Sequence, residues 1–254
     1  NGGDPNKETL TVIKNKEGKN YYFDGNNYFR LFIFIENSFS YQIVSTPLDF
    51  YNSAVAFGEF SALLDGFDAS KLYDVIPLFH DTRNRYKNFL NSLEKDAFNR
   101  KEEVKKEINF VKNHAYLCPL IVDKIENGTI PLRVTHNDTK LNNVLFDKTT
   151  KQTLAVVDLD TVMKGSLIYD FGDSIRFGCN PCSEDEKDLT KVNFRFDLYK
   201  IYVEGYLKAT KKIITEEEKK LLPLGAIIMT FECGMRFLTD YLDGDVYFKT
   251  SRDK

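Results

Sequence analysis

The chain has 254 residues, of which 42% are hydrophobic and 29% charged, with a formal net charge of -3 and a pI near 5.8. These values are ordinary for a globular protein large enough to bury a sizeable core. They exclude the strongly basic class of nucleic-acid-binding proteins, so we expect no nucleic-acid partner. The longest apolar run, residues 221–231, contains a proline and a glycine and is too short to span a bilayer. The first residues lack signal-peptide features. We therefore expect a cytoplasmic protein with no membrane partner.

The amino-terminal part of the sequence predicts a β-hairpin over residues 8–36. Residues 9–13 alternate apolar and polar side chains, residues 15–18 are typical of a turn, and residues 28–35 form a long β-prone run that ends before Asn37. Helices are then predicted at 50–64, 99–117, 194–207 and 221–242, where apolar residues recur at helical spacing. Such stripes indicate core packing.

Between these helices, short strands surround a group of polar residues. The strands are predicted at 129–135, 143–146 and 154–158, with a hairpin turn at 147–150. His136, Asp138 and Asn143 have the spacing of a kinase catalytic loop, and Asp158 follows the next apolar strand, where kinases keep a metal ligand. The spacing, the order and the flanking strands together favour phosphoryl transfer over an incidental His-x-Asp.

Phosphoryl transfer explains why these residue types are needed. Asp138 is the candidate base that orients the attacking hydroxyl and accepts its proton. Asn143 and Asp158 offer the hard oxygen ligands that Mg²⁺ prefers, and Asp160 is a candidate for a second metal or its water. Lys140 is placed to steady the transferring phosphoryl group. His136 is expected to brace the loop.

A literal Asp-Phe-Gly begins at Asp170, but it comes too late in the chain to be the metal-binding segment. We assign the metal position to Asp158 instead. Asp170 or Asp173 is expected to cap the following helix and to accept hydrogen bonds from the catalytic loop.

Three segments of this region resemble one kinase family. The strings HNDTKLNN (residues 136–143), VDLDTVMKG (157–165) and YDFGDSIR (169–176) are similar to motifs of the N-acetylhexosamine 1-kinases, within the aminoglycoside phosphotransferase and choline kinase superfamily. Residues 76–83 and 232–248 also resemble that family. The similarity extends over nearly the whole chain.

The resemblance implies an α+β, protein-kinase-like fold, with a partial N-lobe at residues 1–37 and a mainly helical C-lobe at 38–254. It implies ATP and Mg²⁺ as cofactors, and phosphorylation of N-acetylglucosamine or N-acetylgalactosamine at the anomeric hydroxyl. Backbone groups of Phe34, Ile35 and Glu36 would form the hinge that meets adenine. The candidate residues for binding the sugar are Arg236, His80, Asp81 and Tyr241.

Two alternatives stay open. The same machinery could phosphorylate another small alcohol, such as an aminoglycoside, choline or homoserine, or the chain could bind a nucleotide or sugar without catalysis. Only about 33 residues precede the predicted hinge, too few for a glycine-rich loop, a strand lysine and its partner helix. We therefore expect a fragment of a longer product, with weak or no activity in the 254-residue chain.

Cysteine usage adds little to the functional prediction. Cys179 and Cys182 form a Cys-x-x-Cys pair, which is weak evidence for zinc without a second pair nearby. We expect reduced thiols in a surface loop.

Overall fold

The computed structural model describes residues 3–184 and 186–248. Its strands are β1 (Tyr22–Phe23), β2 (Tyr28–Phe29), β3 (Ser38–Phe39), β4 (Arg133–Thr135), β5 (Val144–Asp147), β6 (Thr153–Val156) and β7 (Met163–Gly165). Its α-helices are α1 (Pro47–Leu63), α2 (Thr82–Lys95), α3 (Lys105–Asn113), α4 (Pro119–Glu126), α5 (Leu167–Gly178), α6 (Phe196–Thr210) and α7 (Glu216–Leu242). Short 3₁₀ turns cover Ala69–Lys71, Ala115–Leu117, Leu141–Asn143 and Leu159–Thr161.

The amino-terminal hairpin forms in a more broken way than the sequence predicts. The turn at residues 15–18 is confirmed, because the Gly18 amide donates to the Asn15 carbonyl at 3.0 Å. Val12 and Phe32 form an isolated antiparallel bridge, and β1 pairs with β2. The prediction of one long strand over residues 28–35 is wrong. β2 ends at Phe29, and Phe34 is 79% exposed, so β-prone residues here lack the packing that sustains a strand.

Two small sheets hold the central polar segment. One has the strand order β3-β5-β6, and the other pairs β4 with β7; all pairings are antiparallel. The predicted turn between β5 and β6 is confirmed: the Asp147 carboxylate accepts from the amides of Thr149 and Thr150 at 2.8 and 2.7 Å. The predicted strand over 129–135 is shorter than expected and begins at Arg133, because Asn127 turns the preceding residues by accepting from the Thr129 amide.

The predicted helices are present with shifted ends, and capping residues explain the early starts of α1 and α7. α1 and α7 both begin with a capping box, Thr46 with Asp49 and Thr215 with Glu218, so each starts several residues before its apolar stripe. The helix predicted over 99–117 is confirmed only from Lys105 to Asn113 as α3. α2 and α4 were not predicted, because most residues of α2 are polar and α4 is only eight residues long.

Helix α7 runs through the core. Its packing against α5 is very close, because a Cβ on Gly172 would lie 2.4 Å from the Gly225 carbonyl oxygen. By length and mean hydropathy (1.5 over its most apolar window) α7 could cross a membrane, which corrects the expectation from the shorter apolar run. In this fold it is a core helix that buries the carboxylates Glu218, Glu232 and Asp240.

Candidate active site

The loop between β4 and β5 is held in place by hydrogen bonds to two carboxylates of α5. The Asp170 carboxylate accepts from the amides of His136 and Asn137 at 2.9 and 2.8 Å, and Asp173 accepts from the Thr139 amide at 3.1 Å. The prediction that these two carboxylates hold the catalytic loop is confirmed. The prediction that one of them caps the helix is wrong. Ser166 is the cap, since its hydroxyl accepts from the Ile168 amide at the start of α5.

His136 joins the loop to the segment that carries Asp158. Its imidazole is fully buried; Nε2 lies 2.9 Å from the Val157 carbonyl, and Nδ1 accepts from the Asp138 amide at 3.3 Å. Nε2 therefore carries the hydrogen and Nδ1 is the acceptor. These contacts support the bracing role predicted for His136.

Asp138 lies between a lysine and an asparagine. Lys140 Nζ is 3.3 Å from Asp138 Oδ1, and the Asn143 amide donates to Asp138 Oδ2 at 3.2 Å and to the Asp138 carbonyl at 2.8 Å. Burial and the neighbouring Asp173 raise the pKa of the Asp138 carboxyl, and Lys140 opposes that rise. Burial alone would lower the pKa of Lys140, but Asp138, Glu184 and Asp173 outweigh it and raise that pKa. The site thus holds a partly desolvated carboxylate with a cation beside it.

Two of the predicted metal residues, Asn143 and Asp158, lie at one end of the β5–β6 hairpin. Val144 pairs with Val156, and one step further the Val157 amide donates to the Asn143 carbonyl at 2.9 Å. Asp158 follows in a left-handed conformation (φ 60°) and is exposed. Among the described residues no group of three His, Cys, Asp or Glu side chains could hold a metal. One amide and one carboxylate still fit Mg²⁺, which usually takes one or two carboxylates and completes its shell with water and substrate phosphates.

Asp160 has a different partner from the one predicted. Its exposed carboxylate forms an ion pair with Arg30, which lies just after β2. This pair joins the amino-terminal segment to the metal side of the site. A metal role for Asp160 would require it to exchange Arg30 for the ion.

The predicted hinge residues lie between β2 and β3. Ile35 is buried, whereas Phe34 and Glu36 are exposed. The Ile35 carbonyl accepts from the Ser38 hydroxyl at 2.6 Å, so this oxygen already has a partner. Contact between this segment and adenine stays a prediction.

A cavity of about 380 Å³ lies between α2, α7 and the residues after α7. Arg236 is part of its wall, and the guanidinium Cζ lies 5.4, 5.7 and 5.4 Å from the ring centroids of Phe79, Tyr247 and Phe248. Arg85 also lines the cavity and donates from Nε and Nη2 to the Phe79 carbonyl. Burial and the nearby Arg236 lower the pKa of Arg85.

The other residues predicted to bind the sugar have different positions. Both ring nitrogens of His80 face protein acceptors, and its side chain is only 7% exposed. Asp81 is the N-cap of α2. Tyr241 donates to Glu103 and packs under Arg100, and it is not among the residues that line the cavity. Tyr247, which sequence reasoning missed, lies in the wall within 3.5 Å of Arg236.

A hydrogen bond links the wall of the cavity to the catalytic loop. Phe79 lines the cavity, and the next residue, His80, places Nε2 3.1 Å from the Asn137 carbonyl. Asn137 directly precedes Asp138. Candidate base and cavity wall are therefore joined by one side chain.

Several solved kinases share this fold. The choline kinase from Cryptosporidium parvum Iowa II superposes with a TM-score of 0.55 at 14% identity, covering 93% of this chain and 73% of that chain. A microcompartment-associated aminopropanol kinase gives 0.51 at 13%, covering 94% and 73%. An aminoglycoside phosphotransferase from Alicyclobacillus acidocaldarius subsp. acidocaldarius DSM 446 gives 0.51 at 12%, covering 93% and 78%. The predicted α+β, kinase-like fold is confirmed.

A sequence profile of the phosphotransferase enzyme family, APH, matches residues 22–190. The matched segment includes β1, the catalytic loop, both strands of the β5–β6 hairpin and all of α5. It thus contains the predicted base, metal and hinge residues, whereas Arg236 lies outside it. The chain belongs to the phosphotransferase enzyme family.

Proposed function

We propose that this protein transfers the γ-phosphoryl group of ATP to the anomeric hydroxyl of a neutral N-acetylhexosamine. Family membership supports the phosphotransferase chemistry. The resemblance of residues 136–143, 157–165 and 169–176 to N-acetylhexosamine 1-kinase motifs supports the acceptor. The observation that carries the choice of a neutral acceptor is the position of Arg236.

Asp138 acts as the base in this proposal. It orients the acceptor hydroxyl, and the proton moves from that hydroxyl to a carboxylate oxygen as the bond from the hydroxyl oxygen to the γ-phosphorus forms and the bond from that phosphorus to the bridging oxygen of the leaving ADP breaks. Its partly buried setting makes the carboxylate a better proton acceptor than an exposed aspartate. Lys140, 3.3 Å from Asp138, supplies positive charge next to the transferring group.

Asn143 and Asp158 would hold Mg²⁺, which supplies charge neutralisation at the nucleotide phosphates. The His136 contact to the Val157 carbonyl keeps the base and the metal side in register. The hinge segment, Phe34 to Glu36, is our proposed contact for adenine.

Arg236 discriminates between classes of acceptor. Three aromatic rings at one site could form a cage for a quaternary ammonium group such as choline. In this cavity the guanidinium of Arg236 already lies against Phe79, Tyr247 and Phe248. A cationic acceptor would have to displace it.

The charge of the cavity points the same way. Three cations, Arg85, Lys95 and Arg236, line it against two carboxylates, Asp240 and Asp243. Asp240 already accepts from the amides of residues 246–248, and Asp243 accepts from the Ser92 hydroxyl. Two unit charges of the same sign 4 Å apart repel by about 4 kcal/mol at an effective dielectric constant of 20. A neutral sugar avoids this repulsion and gains guanidinium donors beside an aromatic wall.

A panel of acceptors tests the proposal. The protein expressed from its whole gene, called the gene-encoded protein below, is incubated with γ-labelled ATP and Mg²⁺. The acceptor is N-acetylglucosamine, N-acetylgalactosamine, choline, ethanolamine, homoserine or an aminoglycoside. We expect label in the two N-acetylhexosamines, with kcat/KM at least about 100-fold above that for any cationic acceptor. Preferential labelling of choline or an aminoglycoside would reject the neutral acceptor. Nucleotide binding without transfer to any acceptor would favour a binding protein.

A further inference from the structure

A buried pair of side chains, His80 and Glu232, connects helix α7 to the catalytic loop. His80 Nδ1 lies 2.9 Å from Glu232 Oε1, and Nε2 lies 3.1 Å from the Asn137 carbonyl oxygen. The His80 and Glu232 side chains are 7% and 1% exposed. The second carboxylate oxygen of Glu232 accepts from the Thr82 hydroxyl at 2.7 Å. Each polar atom of the pair thus has a partner.

The protonation state follows from these contacts. A carboxylate and a backbone carbonyl are both acceptors, so the imidazole satisfies both only when each ring nitrogen carries a hydrogen. Burial disfavours the charged form, yet Glu232, the Asn137 carbonyl and Asp173 outweigh it and raise the pKa of His80. Burial likewise opposes ionisation of Glu232, but His80, Thr82 and Arg85 hold its pKa below the usual range. The pair is an imidazolium and a carboxylate.

Other groups around the pair come from α5. The rings of His80 and Tyr169 have centroids 5.4 Å apart, and the carboxylates of Asp170 and Asp173 both interact with the imidazolium. Asp170 and Asp173 are the residues that accept hydrogen bonds from the backbone of the catalytic loop. The positive charge of His80 therefore lies near two buried carboxylates, of which Asp173 is also paired with Arg176 at 2.9 Å.

The location of the pair gives it a role. Glu232 and Arg236 are four residues apart on α7 and therefore lie on the same face of the helix. Phe79, next to His80, contacts Arg236 in the cavity wall, and Asn137 precedes Asp138. A chain of contacts thus runs from Glu232 through His80 to the residue before the candidate base.

We propose that His80 and Glu232 are positioning residues, whose ion pair fixes Asp138 relative to the acceptor cavity. The proposal rests on the proposed function insofar as it names Asp138 as the base. The contact chain itself is independent of which acceptor is used.

The test uses a double variant that removes the connection without leaving Glu232 as an unpaired buried charge. His80→Leu alone would leave Glu232 buried without its partner, whereas replacing both members of a buried ion pair by apolar residues is commonly tolerated. In His80→Leu/Glu232→Leu we expect hydrogen exchange at the Asn137 and Asp138 amides at least about tenfold faster than in the parent chain. His114→Leu, which removes the histidine that lies near Phe110, is the matched control and should leave both rates unchanged.

Two further measurements distinguish a positioning role of the pair from a purely structural role. They also do not depend on which acceptor the enzyme uses. In the parent chain, nitrogen NMR of the His80 ring should show both nitrogens protonated at pH 7.5, where an unperturbed histidine is mostly neutral. In the gene-encoded protein, with whichever acceptor is turned over, the double variant should lower kcat at least about tenfold while KM for ATP changes less than twofold. A neutral His80 ring, or loop exchange and kcat equal to those of the His114→Leu control, would overturn the proposal. Failure of every sugar as acceptor would count against the proposed function alone.

Discussion

Asp138 is held by neighbours that act in opposite directions. Burial and Asp173 raise the pKa of its carboxyl, while Lys140 opposes that rise. A carboxylate whose pKa is raised accepts a proton more readily than an exposed one. The contacts of Lys140 and Asn143 also fix the direction of its oxygens.

Asp138→Asn tests the role of that carboxylate. The amide cannot accept the acceptor's proton, so we expect kcat to fall by roughly 10²–10⁴-fold, with KM for ATP little changed. Asp197→Asn is the control, since it makes the same change in an exposed carboxylate that pairs with Arg195. Initial rates of ATP-dependent transfer measure both. Activity of Asp138→Asn within tenfold of the parent would remove Asp138 from the role of base.

Arg236→Met tests the acceptor cavity. Losing the guanidinium removes charged hydrogen bonds to the sugar, so KM for N-acetylhexosamine should rise roughly 10- to 100-fold. The same change frees the faces of Phe79, Tyr247 and Phe248, so choline should become a better acceptor. Arg195→Met is the control, because that arginine is exposed and its contacts are to Asp197. Equal KM values in Arg236→Met and the control would place the sugar elsewhere.

At the residue scale, spacing along the chain was enough to predict which residues of the catalytic loop lie close together. His136, Asp138 and Asn143 lie within one short loop, so their proximity follows from their order. The choice of Tyr241 overlooked helical geometry. It lies five residues after Arg236, about 140° away around the helix axis. Tyr247 reaches the cavity only because Asp240 accepts three backbone amides from residues 246–248 and folds them back.

At the scale of elements, the contact between α5 and α7 depends on glycine. A Cβ on Gly225 would lie 2.5 Å from the Ile168 carbonyl oxygen, whereas a Cβ on Gly234 of the same helix would meet nothing within 4 Å. α5 carries Asp170 and Asp173, so this contact also positions the catalytic loop. The two glycines of α7 form a matched pair of sites.

We expect opposite effects from alanine at these two sites. Gly225→Ala forces the helices apart and should lower the free energy of unfolding by about 1–3 kcal/mol. Gly234→Ala gains helix propensity without a clash and should raise it by roughly 0.5–1 kcal/mol. Urea unfolding followed by circular dichroism measures both values. Equal effects of the two substitutions would contradict the close packing described here.

The His80–Glu232 pair predicts how stability varies with pH. The pKa of His80 is raised in the folded state, so its contribution is fully present below the unfolded value of 6.5 and is lost as pH rises through the folded value. Between these two pKa values, the stability of the parent relative to His80→Leu/Glu232→Leu should fall by up to about 1.4 kcal/mol per pH unit. Urea unfolding from pH 6.5 to 9 gives this slope. A difference that does not vary with pH would show that His80 is not charged.

The prediction of strands failed where β-prone residues have no neighbouring strand or buried face to pack against. The run over residues 28–35 is rich in β-prone residues, yet β2 is only two residues long. Leu31 is 67% exposed and Phe34 is 79% exposed. Strand formation depends on cross-strand and same-face packing more than on intrinsic preference. The hairpin of β5 and β6 has that support from β3 and from buried Val144 and Phe146, and its prediction held.

At the scale of the whole molecule, the fold could be predicted because residues 136–143, 157–165 and 169–176 resemble motifs of a known kinase family. The structure contains the loop, hairpin and helix that this resemblance implies. The cavity could not be predicted in the same way. Its wall combines Phe79, α2, α7 and residues 246–248, which are distant in sequence and meet only in the folded chain.

Phosphorus NMR of the reaction product tests the central claim most directly. The gene-encoded protein is supplied with ATP, Mg²⁺ and N-acetylglucosamine or N-acetylgalactosamine labelled with ¹³C at the anomeric carbon. We predict a product in which phosphorus couples to the labelled carbon, which identifies the sugar 1-phosphate. Phosphate on any other hydroxyl, or no sugar phosphate under conditions in which a cationic alcohol is phosphorylated, would contradict it.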